Sequence, residues 1–197
     1  MSEKSLEMSV PCAVEGRSPE ADFNNEAVRS VEKQDIERLK AQASASLRNR
    51  YRLCLHHDVS HQTQEMIICL KGFTYFQPHR HPGNRSESYH MVEGLLDVHL
   101  FDEKGCLVET VRLAAPGALD AASRPFMYRL SSPIYHFVVP RSEWTIYHEV
   151  LTGPWDKDSV VQYAPFAPQE DDVDKVHTFV QQVTGMSIQS LTGVPRE

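Results

Sequence analysis

Between Tyr51 and Leu151 the chain breaks into short apolar runs separated by polar turns. The runs are "YRLCLHH", "EMIICLKGF", "TYFQPHRH", "SYHMVEG", "LLDVHLFD", "LVETVRLA", "FMYRLS", "YHFVVP" and "WTIYHEVL". Each is rich in β-branched, aromatic or aliphatic residues and too short for a typical helix, so each predicts a strand. Turn chemistry lies between several of them, as "DEKG" at 102–105, "APG" at 115–117, "PRSE" at 140–143 and "TGP" at 152–154. Eight or nine strands about ten residues apart predict a mostly β protein, a small antiparallel β-barrel or sandwich. "FDEKG" reads as a hairpin turn, with Asp102 opening it and Gly105 free to take positive φ.

The pattern changes period at both ends. Val28, Val31, Ile36, Leu39 and Ala43 recur at helical steps without Gly or Pro, which predicts a packing helix over 26–46 with a break near Lys33. In "QEDDVDKVHTFVQQVTG", Val173, Val176, Phe179, Val180 and Val183 form one face, with acids in the first turn and Gly185 at the cap. This predicts a C-terminal helix over 169–185, followed by a tail at 186–197. Residues 1–25 are polar and rich in Glu, Ser and Pro, and predict a disordered segment. The barrel domain then occupies 47–168, with one helix before it and one after.

Composition bounds the function. A length of 197 residues favours one domain, and 41% hydrophobic with 24% charged residues is ordinary for a globular protein. A formal net charge of −7 and the lack of a Lys/Arg stripe argue against a nucleic-acid partner, "RNRYR" at 48–52 being the densest basic run. No run is long enough to cross a bilayer and the N-terminus has no apolar core, so neither membrane nor signal peptide is expected. Cys12, Cys54, Cys69 and Cys106 form no CxxC pair; Cys54, Cys69 and Cys106 lie in apolar, strand-like runs and read as small hydrophobes, and a reducing cytoplasm is the default.

The chemistry concentrates in "YFQPHRHPGNRSESYHMVEG", residues 75–94. In a strand, side chains two apart share a face, so His79 and His81 project side by side. With Phe73, Tyr75 and Gln77 on the same parity, that face is expected to be interior. Pro82-Gly83 turns the chain, and an antiparallel return brings Glu87 alongside. Imidazole nitrogen plus carboxylate oxygen is a donor set for a divalent transition metal. A third histidine from a later strand completes it. His136 is the candidate, with His148 as competitor, while His90 is out of phase with Glu87. Glu93 shares parity with Glu87 but lies about 20 Å further along the strand. Tyr75, Gln77 and Tyr89 are candidate pocket-lining residues, since polar tips in a cavity need partners. Arg85 is a candidate for an anionic ligand, and Trp155 with "YAPFAP" either folds over the mouth or covers a sheet edge. His56, His57 and His61 read as a mostly solvated loop cluster, with His56 able to approach the mouth. The competing reading of His79 and His81 is a decorative surface pair.

Gly72, His79-x-His81, Glu87 and Gly94, followed by Pro133 and His136, resemble the two motifs of the cupins. "LH" at 55–56, Gln64-Glu65-Met66, "PHRHP", "FDEKG", "GPW" and "YAPFAP" are similar to the WbuC-like cupins, over about 35–170. The resemblance implies a cupin or jelly-roll barrel holding one divalent transition metal (Fe, Zn, Mn or Ni) through His79, His81, Glu87 and His136. It implies a small-molecule ligand, with a sugar or sugar-nucleotide derivative suggested by the family's association with surface polysaccharide, and a homodimer. Two classes of function are open to such a protein: a metal-dependent isomerase, lyase or dioxygenase, or a non-catalytic binding or sensing protein.

Overall fold

The computed structural model describes residues 19–118 and 121–191. The expected disordered segment up to residue 18, Cys12 within it, and the end of the tail from residue 192 lie outside the described residues. The strands are β1 (Ala21–Phe23), β2 (Arg50–Cys54), β3 (Thr63–Lys71), β4 (His79–Arg80), β5 (Glu87–Glu93), β6 (Leu95–Phe101), β7 (Leu107–Ala114), β8 (Met127–Leu130), β9 (Tyr135–Pro140), β10 (Trp144–Thr152) and β11 (Gln162–Tyr163). The helices are α1 (Lys33–Ala45), α2 (Lys157–Val160), α3 (Val173–Thr184) and α4 (Ile188–Leu191). None is long and apolar enough to cross a membrane.

The strands form two separate sheets rather than one closed barrel. One has six strands in the order β1-β2-β3-β10-β5-β8, the other five in the order β11-β4-β9-β6-β7. Nor is the pairing wholly antiparallel, because β1 runs parallel to β2. That strand lies at 21–23, inside the stretch expected to be disordered. Three residues are too few to give a strand signal, and the segment is held by its pairing with β2 and by Ala21 and Phe23 packing against the core between the sheets.

Alternation along the strands sorts side chains into three cores. Met66, Ile68 and Leu70 of β3, Leu96, Val98 and Leu100 of β6, Val138 and Tyr147 meet between the sheets. The opposite parity of the six-stranded sheet, Leu53, Ile67, Cys69 and Ile146, packs under Leu39 and Ala43 of α1. The opposite parity of the five-stranded sheet, Phe101, Tyr135, Phe137 and Val139, packs under Val176 and Val180 of α3. Both sheets are therefore covered on each face by apolar contact, the main source of favourable folding free energy.

Helix α1 starts later than the periodicity suggests, since Val28 is 82% exposed. A capping box sets the start: the Glu32 side chain accepts from the Asp35 backbone, and the Glu32 N–H donates to Asp35 Oδ2 at 3.0 Å. Helix α3 begins at Val173 behind the Asp172 cap and ends at Gly185 in the left-handed region. In the β6–β7 turn Asp102 Oδ1 accepts from Lys104 N at 2.9 Å and Cys106 N at 2.8 Å, and Gly105 has φ +81. Gly94 carries the chain from the six-stranded to the five-stranded sheet at φ +77. A Cβ there would lie 2.0 Å from the Trp144 carbonyl oxygen and 2.2 Å from Ser142 Oγ. No side chain fits that crossing.

Candidate metal centre

The alternation expected from Phe73 to His81 breaks between Tyr75 and Gln77. Residues 73–78 carry no strand, and β4 is only His79–Arg80. Phe73 and Tyr75 consequently face the α3 side, with the Tyr75 ring 5.5 Å from Phe137 and its hydroxyl donating to the Pro168 carbonyl at 2.8 Å. Tyr75 is thus not a pocket residue. Beyond the break the parity is reset, and His79 pairs across the ladder with His136 of β9. Both imidazoles point between the sheets. Pro82-Gly83 then returns the chain to β5, and Glu87, its first residue, comes back from the opposite sheet.

The result is a cluster of three rings and one carboxylate. Ring centroids are 4.6 Å apart for His79 and His136, 5.1 Å for His79 and His81, and 5.5 Å for His81 and His136. Glu87 Oε1 lies 3.2 Å from His81 Nε2, and Oε2 lies 3.2 Å from His136 Nε2. Glu87 is 3% exposed and His136 1%.

The outer nitrogens decide what the inner ones can do. His79 Nδ1 faces the Gln77 carbonyl at 2.9 Å, His81 Nδ1 the Val160 carbonyl at 2.8 Å, and His136 Nδ1 the Ile134 carbonyl at 3.2 Å. A carbonyl only accepts, so each Nδ1 carries its proton and each neutral ring presents a bare Nε2 lone pair. One nitrogen from each ring lies within 4.8 Å of the others. His136 Nε2 and Glu87 Oε2 are both buried with no hydrogen-bond partner, although they face each other. Buried polar atoms are rarely left so. Backbone carbonyls behind the ligating imidazoles are also what orients histidines at metal sites. The three histidines could hold a metal ion, and Glu87 is placed to join them.

Electrostatics fit the same picture. Burial, and then the neighbouring His136 and His81, press His79 down to about 3. Burial lowers His136 as well. At His81 burial works downward, but the Glu87 carboxylate prevails and the ring is raised. At Glu87 burial works upward and is outweighed by His136 and His81, so the carboxyl is lowered. A carboxylate held ionised among imidazoles held mostly neutral is the state a divalent cation needs.

The cluster opens into a cavity of about 260 Å³ between the sheets. Gln77, Tyr89, Tyr147, Glu149, Arg52, Trp155 and Tyr163 are among its lining residues. Gln77 and Tyr89 are where the alternation placed them. Glu149 shares the inward parity of Tyr147 and Leu151, and burial together with Glu87 pushes it up to about 8. His148, one residue earlier, points the other way, 3.4 Å from Glu65, with its ring 5.3 Å from His90 on the outer face. Glu93 pairs with Lys40 at 2.8 Å. Arg85 donates to the Pro82 carbonyl within its own turn at 3.2 Å and does not line the cavity. His56 is buried but packs on Phe23 and the Glu65 backbone, away from the mouth. Of the expected lid, Trp155 and Tyr163 reach the cavity, while Phe166 packs on Phe101 and Tyr135. Arg52 and the Val160 carbonyl carry no local sequence signal. Each becomes visible only once distant segments are paired.

Residues 31–113 match a family described as a domain of unknown function, DUF6016. No curated protein matches the chain. Among solved structures, protein SO0799 from Shewanella oneidensis is 12% identical at a TM-score of 0.46, over 70% of this chain and 78% of that one. The cupin domain of Schizosaccharomyces pombe Cnp3 is 9% identical at 0.39, over 52% and 64%. The Lactobacillus farciminis oxalate decarboxylase formate complex is 16% identical at 0.39, over 71% and 37%. Likeness at that level says nothing of chemistry, which rests on the geometry of the site itself.

Proposed function

We propose that this protein is a cupin-type, jelly-roll metalloprotein that holds one divalent transition metal on His79, His81, Glu87 and His136 and acts on a small molecule in the adjoining cavity. The observation that carries this reading is the set of three Nδ1–H groups committed to backbone carbonyls. It leaves three Nε2 lone pairs and a buried carboxylate aimed at one another with no proton donor among the neutral rings.

Three imidazoles and one carboxylate leave two positions open in an octahedral site, where a bound metal supplies Lewis-acid or redox chemistry to a ligand oxygen. Around that point the chain supplies Tyr89 and Tyr147 to orient a ligand, and Glu149 as a group able to give or take a proton. An isomerase or lyase uses such a carboxyl, which favours it over the dioxygenase and the passive sensor. The cavity volume lies just below the usual range of about 300–1,000 Å³ for drug-sized ligands, which suits a single sugar unit better than a sugar nucleotide. The WbuC-like resemblance extends the reading to a polysaccharide-linked sugar derivative and a homodimer. Free thiols at Cys69 and Cys106 accord with a cytoplasmic location. The domain reading keeps 47–168 as the functional unit flanked by its helices.

Elemental analysis of protein purified without added metal tests the site. About one transition metal per chain, lost in the His79→Ala/His81→Ala double variant while the circular dichroism persists, is the expected result. Unchanged metal content in that variant refutes it. Turnover against a panel of sugar derivatives, with and without the metal, separates enzyme from sensor.

A further inference from the structure

The cavity wall opposite the histidines carries chemistry that a metal site alone leaves unused. Cys54, Met66, Glu149 and Tyr89 stand in one row across the inner face of the six-stranded sheet, and Arg52, Ile68 and Tyr147 in the next. Three arginines follow one another on this edge. Arg48 and Arg50 are spent: Arg48 binds Glu20 and Glu170, and Arg50 binds the Tyr75 carbonyl, Glu20 and Glu170. Arg52 is different. Its guanidinium has no hydrogen bond or ion pair among the described residues, and its Nε is shielded from solvent without a partner. Glu149 lines the same cavity but makes no ion pair with it.

A half-buried cation with an unmet Nε–H is costly unless something else completes it. The planar guanidinium fork matches a carboxylate, which it grips through two parallel N–H donors. A single free guanidinium also balances a single negative charge. A dianion would carry surplus charge toward Glu87 and Glu149. The rest of the wall is polar but uncommitted: the Gln77 amide and the Tyr89 and Tyr147 hydroxyls have no hydrogen-bond partners among the described residues and suit hydroxyl groups.

We propose that the cavity takes a small hydroxy-carboxylate, with its carboxylate on Arg52 and its hydroxyls toward Gln77, Tyr89, Tyr147 and the histidine cluster. This deepens the metalloprotein reading and rests on it for the second end of the ligand. A neutral sugar would leave Arg52 unmet.

Isothermal titration of the full chain, with Zn²⁺ and without metal, tests this with matched probes: glycerate against glycerol, and gluconate against sorbitol. Each acid is expected to bind more tightly than its polyol by about ten- to a hundred-fold, the range for a hydrogen bond to a charged group. Arg52→Gln should abolish that preference with zinc content unchanged, while Arg52→Lys, which keeps the charge, should retain part of it. Equal binding of acids and polyols, no binding of the acids, or an undiminished preference in Arg52→Gln overturns the proposal, as does tighter binding of glycerol 3-phosphate than of glycerate. Failure of the metal reading shows separately, as absence of zinc uptake by the unaltered chain. The Arg52-dependent preference measured on metal-free protein then still decides the carboxylate assignment.

Discussion

Replacing Glu87 with Gln changes one buried charge while keeping the shape, and its consequence can be traced through His81. In the metal-free protein the carboxylate lies 3.2 Å from His81 Nε2 and raises that ring above its ordinary value of 6.5. A raised imidazole contributes stability that is fully present below 6.5 and lost as pH rises through the raised value. At pH 6.5 a proton therefore holds the place opposite Glu87, and a metal must displace it. Metal binding by the unaltered chain at that pH should release up to about one proton, falling toward zero at alkaline pH. Removing the partner of a buried charge costs about 3–5 kcal/mol if the charge persists, whereas a pKa unit is worth about 1.4 kcal/mol. In Glu87→Gln, His81 is thus expected to lose its proton, and release at pH 6.5 should fall close to zero even as metal binds more weakly. Calorimetric titration of zinc into metal-free protein, in two buffers of different ionisation enthalpy, counts the protons. Equal proton release by the two proteins would show that Glu87 does not hold the charge on His81.

His79, pressed to about 3, stays neutral while an unfolded chain takes up its proton from 6.5 downward. Metal-free stability should therefore fall between those values by at most about 1.4 kcal/mol per pH unit, and His79→Gln should flatten the slope in urea titrations. Gly94→Ala forces a side chain into the left-handed region and against Trp144 and Ser142, whose hydroxyl also accepts from Leu95 N at 2.9 Å. The strain and the displaced hydrogen bonds should cost about 3 kcal/mol in urea unfolding, and a loss under about 1 kcal/mol would mean that the crossing relaxes freely. Burial pushes the Cys69 thiol up to about 12, whereas Cys106 is exposed. A thiol reagent should label Cys106 in the native protein and Cys69 only on unfolding, as read by mass spectrometry.

Local rules were enough to find most strands, because alternation and turn residues are short-range signals. The same rules set His79, His81 and Glu87 close together, since H-x-H parity and a Pro-Gly turn fix direction over a few residues, whereas the choice between His136 and His148 stood open until β4 and β9 were paired. They failed where geometry is long-range. Parity counted through the strandless stretch 73–78 put Tyr75 on the wrong side, because irregular backbone resets the face. A closed barrel was expected where two sheets stand apart, for strand count does not say which edges meet. Arg52 sits among three alternating arginines that look alike along the chain. What sets it apart is that the Glu20 and Glu170 carboxylates pair with Arg48 and Arg50 and not with its side chain, and those acids lie far off in sequence.

Strand β4 is two residues long, and much of its support comes from a stretch some eighty positions downstream. Gln162 and Tyr163 pair with it, Ala164 N donates to the Pro78 carbonyl at 2.8 Å, and Val160 holds the His81 ring. During synthesis both imidazoles would leave the ribosome well before the strap that orients them. The arrangement of the rings that could hold a metal therefore depends on residues 160–164, which are made long after the histidines they orient.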